Sequence, residues 1–180
     1  MAASAAAAVV VAAAEVFPAA VDRSAAVAQG EAGETMKPWF STPKIDHARV
    51  VAAIAAAEKT TSGEISVLLA RHKAADPVAA AQHHFARLGM TQTRHRNGVL
   101  ILFAPRSRTF AIVGDTGVHE KCGDAFWQEV AAAMAAYFKR GEFTAGLSHG
   151  IERAGTLLAA HFPPESDGDA GLPNAVEEVD

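Results

Sequence analysis

The sequence predicts an α/β fold, a three-layer sandwich in which a small mixed β-sheet is covered by helices on both faces. Three observations lead there. The run Gly98 to Ala104 is almost wholly apolar, and a second run from Arg108 to Gly114 follows it across Pro105-Arg106-Ser107-Arg108, as in a buried strand turning back into a hairpin. An earlier strand-like segment, Glu64 to Ala70, reaches the Gly98 run only through a helical pattern, so those two strands are parallel with a right-handed crossover. Helical patterns also precede the first strand and follow the last, and the order helix, strand, helix, strand, strand, helix, helix leaves both faces of the sheet to be covered.

The folded body begins at Trp39 to Pro43. Thr42 followed by Pro43 suits an N-cap and first helical position, because the hydroxyl accepts an orphan amide and proline has none to lose. Val50, Ile54 and Ala57 follow at helical spacing and Thr60-Thr61-Ser62-Gly63 ends the run, giving a helix over about 43–60. Asp76-Pro77 repeats the cap-then-proline start, with Val78, Ala81, Phe85 and Leu88 on one face and Gly89 closing it. Met90 to Arg96 reads as a polar, basic loop. After Gly114 a short turn near Val118 to Cys122 leads into a longer helix from Asp124, whose Trp127, Val130, Met134, Tyr137 and Phe138 form a core stripe. The last helix carries Phe143, Leu147, Ile151, Ala154, Leu158 and Phe162; Gly146 and Gly150, four apart, point to a close packing contact that offsets their helix cost of about 1 kcal/mol each. Pro163-Pro164 stops it.

At 180 residues the chain is large enough for one domain with a full core. Its charge is unevenly spread. Between Met36 and Phe162 fifteen Lys and Arg face ten Asp and Glu, whereas residues 1–35 carry a net −3 and residues 163–180 a net −6 with no base. The division expected is an Ala-rich, disordered extension over 1–38, an α/β domain over 39–163, and an acidic disordered tail over 164–180. The other reading of the acid is a tail that docks on its own basic body, a pairing that salt weakens.

No run approaches the 18 or so apolar residues of a membrane-spanning helix. Ala2 to Ala14 looks like the apolar core of a signal peptide, but no Lys or Arg precedes it. Cytoplasmic residence is expected, with Met36 as a candidate start; export through an atypical N-terminal signal is the alternative. The single cysteine, Cys122, excludes an internal disulfide and a multi-thiolate metal site within one chain. Nucleic acid is not an expected partner, since the body is only mildly basic and its aromatics sit in core stripes.

Several ordered motifs point to a family: Thr61-Ser62-Gly63-Glu64-Ile65-Ser66-Val67, Arg96-Asn97-Gly98-Val99-Leu100-Ile101-Leu102, Val113-Gly114-Asp115-Thr116-Gly117-Val118-His119, Asp124 before a helix, and Phe143-Thr144-Ala145-Gly146-Leu147 leading to Gly150-Ile151. From about Met36 to Pro163 the chain resembles the TPM domain family, also called TPM phosphatase, which groups thylakoid acid-phosphatase-like and photosystem-repair-like proteins. The likeness is to its short, soluble bacterial branch, without the membrane anchor many relatives carry. The resemblance implies acid phosphatase activity, calcium binding, or assistance to a membrane-associated complex. One departure stands out: a family run of Gly-aromatic-Gly-hydrophobic-Glu is here Asp115-Thr116-Gly117-Val118-His119.

The predicted topology brings the starts of the first two strands and the end of the third to one sheet edge. Glu64, Asn97 and Asp115 therefore converge, with His119 and Asp124 on the following turn and helix start. Carboxylates and an amide of this kind suit a hard cation. Glu64, Asp115 and Asp124 are the candidate metal ligands, for calcium or another divalent ion, and His119 would tilt preference toward a transition metal. Asn97, Arg94, Arg96 and His119 are the candidate ligand-binding residues, the arginines suiting a phosphate or the acidic tail. The plainer reading is local: Asp115 in an Asx-turn, Asp124 as a helix cap, Glu64 an exposed strand start.

No nucleophile elbow, phosphate-binding loop, dinucleotide fingerprint or His-based zinc spacing is present. No catalytic residue is assigned. The function expected is an interaction or assembly module, with a divalent cation at one sheet edge and a membrane-associated partner. The alternative is a weak metal-dependent acid phosphatase acting on phosphate monoesters.

Overall fold

The computed structural model describes residues 44–164, together with the backbone of 9–13 and the segment 176–179. In chain order the elements are β1 (Val9–Ala13), α1 (His47–Glu58), β2 (Glu64–Ala70), α2 (Pro77–Arg87), a 3-10 turn at Met90–Gln92, β3 (Gly98–Ala104), β4 (Thr109–Gly114), α3 (Thr116–Lys139), α4 (Phe143–His161) and β5 (Val176–Val179). The sheet order is β1-β4-β3-β2-β5. β2 and β3 pair in parallel, Glu64 opposite Gly98, and β3 and β4 pair antiparallel, Val99 opposite Gly114. The mixed sheet is the one expected, with α2 lying between the parallel strands β2 and β3 in the chain.

Strand alternation sorts the core into two layers. Ile65, Val67, Leu69, Val99, Ile101, Phe103, Phe110 and Ile112 face α1, α3 and α4. Leu68, Leu100, Leu102, Ala111 and Val113 face the α2 side, against Ala81, Phe85 and Met90. A strand packed on both faces needs apolar residues at every position, and all seven of β3 are buried. Trp127, Val130, Met134 and Phe138 of α3 and Leu147, Ile151, Ala154 and Leu158 of α4 are buried as their spacing requires. The two helices meet where Gly146 and Gly150 leave room. A Cβ at 146 would lie 2.5 Å from the Phe138 ring, and one at 150 would lie 2.5 Å from the Met134 sulfur.

Three expectations are corrected. Asp46 caps α1, accepting from the Arg49 amide at 3.0 Å, so the helix starts later than Thr42-Pro43 would place it; those two residues lie outside the described ones, as do Trp39 and Met36. The Met90 loop holds a 3-10 turn because Met90 is fully buried under the sheet and pins it. After Gly114 the expected short turn and longer helix are both present: a first helical segment from Thr116 meets the helix that continues from Asp124 at a kink, Gly123, where the backbone leaves helical geometry (φ 67°, ψ −178°). Finally, parts of both expected disordered extensions are strands. Val9–Ala13 pairs antiparallel with β4, and Val176–Val179 pairs parallel with β2. Each finds main-chain partners on an otherwise open sheet edge, which a short apolar or acidic segment does not announce in sequence.

Candidate functional site

The polar rim forms as the topology predicts, at the start of β2 and β3 and the end of β4. The Asp115 amide donates to the Gly98 carbonyl at 2.9 Å, extending the hairpin by one residue, and Gly98 sits opposite Glu64. Positions 64, 97 and 115 thus lie along one rim, at the ends of three successive strands of the sheet. What their side chains do decides the chemistry.

Asp115 is fully buried. Its Oδ1 accepts from the Thr116 amide at 2.7 Å, and its backbone carbonyl accepts from the Val118 and His119 amides, so it caps α3. The Arg96 Nε donates to both carboxylate oxygens at 2.9 Å, while Nη2 stands 2.7 Å from Oδ1, close enough for charge but out of line for a hydrogen bond. The hydrogen bond to this carboxylate, with its negative charge, holds the Arg96 guanidinium above its ordinary range. Arg96 makes this contact from a left-handed backbone (φ 51°), which costs a non-glycine residue about 1–2 kcal/mol. A charge-assisted contact of this kind offsets it. The loop presses so closely on α3 that a Cβ at Gly117 would overlap the His95 carbonyl oxygen and lie 2.8 Å from that of Arg96.

Asn97 is also buried, and its amide group donates to the Ser62 hydroxyl at 3.4 Å while its backbone N–H donates to Thr93 Oγ1 at 3.2 Å. The neighbouring turn is tied down too: Thr61 Oγ1 donates to the Phe162 carbonyl at 2.5 Å and the Ile65 amide donates to Glu58. His119 and Asp124 face each other across the Gly123 kink, Nδ1 to Oδ1 3.9 Å, with Asp124 largely exposed. Glu64 is half-buried and Arg94 exposed. Cys122, half-buried beside this kink, has its thiol pushed up by burial and donates to the Val118 carbonyl at 3.3 Å, which makes it a poor nucleophile.

The rim therefore gathers Asn97, Arg96 and Asp115, but not the three proposed metal ligands. Among the described residues no three His, Cys, Asp or Glu side chains group closely enough to hold a metal ion. Asp115, central to such a set, is occupied by a guanidinium and a helix cap, so Glu64, Asp115 and Asp124 do not fit a divalent cation as they stand. The Arg96–Asp115 pair was missed in sequence although one signal pointed to it. A hairpin register that sets 98 opposite 115 leaves a base and an acid of opposite charge flanking the same rim.

A doubly covered mixed sheet with a sealed polar rim defines the class, an α/β sandwich domain. The TPM domain model matches residues 43–157, and the chain belongs to that family. Among solved structures, the NMR structure of BA42 protein from the psychrophilic bacterium Bizionia argentinensis is similar, at 41% identity and a TM-score of 0.67, over 74% of this chain and 92% of that one. Comparison with curated proteins gives no match.

Proposed function

We propose that this TPM domain is an interaction module that serves a membrane-associated partner, and not a phosphatase. The observation that carries this reading is the state of Asp115: buried, ion-paired with Arg96 and capping a helix, its carboxylate oxygens are already engaged and it is not a ready metal ligand. The phosphatase alternative asks Asp115 to hold a metal and Arg96 to meet a phosphoryl group, and each already engages the other. Among the described residues no helix is long and apolar enough to cross a membrane.

Two measurements test it together. Hydrolysis of p-nitrophenyl phosphate, with calcium, magnesium, manganese or zinc added, is expected to stay at the level of the protein-free blank. Chemical cross-linking of the full chain in a membrane fraction is expected to give a discrete adduct. Hydrolysis that vanishes in a folded Asp115→Asn chain would reverse the assignment, as would the absence of any adduct.

A further inference from the structure

The outer edge of β2 is closed by β5, four residues taken from the far end of the chain. We propose that this edge is a docking site for an extended peptide of the pattern apolar-acidic-acidic-apolar, and that Val176-Glu177-Glu178-Val179 occupies it in cis until a partner segment of the same chemistry displaces it. This inference rests on the interaction-module reading and specifies where the partner sits.

The pattern is derived from the contacts. β5 runs parallel to β2, Val67 opposite Val176 and Ala70 opposite Val179, and the Arg71 amide donates to the Val179 carbonyl at 2.7 Å. Main-chain pairing of this kind is indifferent to sequence, so side chains must supply selectivity. Strand alternation divides them between the two layers. Val176 packs against the α1 and α4 side of the core, and Val179, buried, packs on the α2 side. Glu178 pairs with Arg71 at 2.7 Å, and Glu177 reaches Arg87 on α2 at 4.0 Å. Each acid meets its own arginine and each valine its own layer. A basic segment would set like charges together at both positions.

The dock is built to exchange. Four residues make a short strand, the Arg71 and Glu178 side chains are 60% and 41% exposed, and ion pairs in such solvent contribute little. Occupancy in cis gains instead from tethering, since a segment on the same chain competes at an effective concentration on the order of mM. A free partner segment must therefore outbid the chain's own strand, and loosening that strand should make the edge available.

The test uses the full chain and a fluorescein-labelled synthetic peptide with the sequence of residues 174–180, followed by anisotropy. Glu177→Lys/Glu178→Lys and, independently, Val179→Asp detach β5, and each is expected to bind the peptide at least tenfold more tightly than the wild-type chain. Adding Arg71→Glu to either should abolish that gain, and salt should weaken it. Equal binding by wild type and both variants, or no binding by either variant, overturns the proposal. A wild-type dimer in sedimentation velocity that Glu177→Lys/Glu178→Lys dissolves would also overturn it, by making a second copy the occupant. Membrane-fraction adducts that persist while the peptide fails to bind would discard this edge and keep the module; loss of both would discard the module.

Discussion

At the scale of the residue, the Arg96–Asp115 pair governs the rim. A buried carboxylate that loses its partner strands a charge, at a cost of roughly 3–5 kcal/mol when both groups are fully enclosed. Arg96 is 34% exposed on its side chain, which lowers that figure, and about 2–3 kcal/mol is expected for Arg96→Gln; Asp115→Asn leaves no buried charge and loses only charged hydrogen bonds, about 1–2 kcal/mol. Urea unfolding of the two single variants and the double should show a coupling above about 1 kcal/mol. Additive effects would mean that the pair does not form. Calcium, magnesium, manganese and zinc should leave the melting temperature of the wild-type chain unchanged, because the carboxylate they would need is occupied; a rise with any of them restores the cation site. The position of Asp115, Asn97 and Glu64 at one rim was legible, since it follows from strand direction alone. Their use was not. Whether a carboxylate at a strand end meets a cation, a solvent shell or an arginine depends on a loop whose backbone enters the left-handed region, and no periodicity encodes that.

The elements divide by how much pattern they carry. β3 and the stripes of α3 and α4 were legible because double-sided burial and helical spacing each demand many apolar residues in register. β1 and β5 were not, being five and four residues long and dependent on a distant edge for their partners. The charge imbalance pointed only as far as a tail that docks on its basic body. Gly146 and Gly150 offer a test in which two effects differ in sign. Helix propensity alone predicts that Ala stabilises each by about 1 kcal/mol. Contact with Phe138 and Met134 predicts a loss of about 1–3 kcal/mol instead, measurable by thermal or urea unfolding; a gain would mean that α3 and α4 are further apart than described. On α2, His84 is held below its ordinary value of 6.5, first by burial and then by Arg87 and His83, while Glu177 on β5 pulls it back up. The unfolded chain therefore binds the proton more readily, and stability should fall as pH drops from the ordinary histidine value toward the depressed one. Glu177→Gln should move the His84 midpoint lower still by imidazole NMR, and an unmoved midpoint would show that β5 does not lie beside α2.

For the whole molecule, the two outer edges of the sheet and the rim define different tasks. The rim is sealed by internal bonds, while the β2 edge is closed by a short acidic strand held through exposed ion pairs. The base-rich body and the acid-rich end thereby meet in one place, and added salt should loosen that contact before it affects the core. Core stability comes from apolar layers on both sheet faces, which salt leaves intact. An edge that opens while the domain stays folded is what a binding module needs. Amide hydrogen exchange at Arg71 tests this most directly, because that N–H donates to Val179 across the edge. The Arg71 amide should be protected in the wild-type chain and lose protection in Glu177→Lys/Glu178→Lys, while the amides of β3 keep theirs. Equal exchange at Arg71 in the two chains, or loss of protection throughout β3, would contradict a separately opening edge.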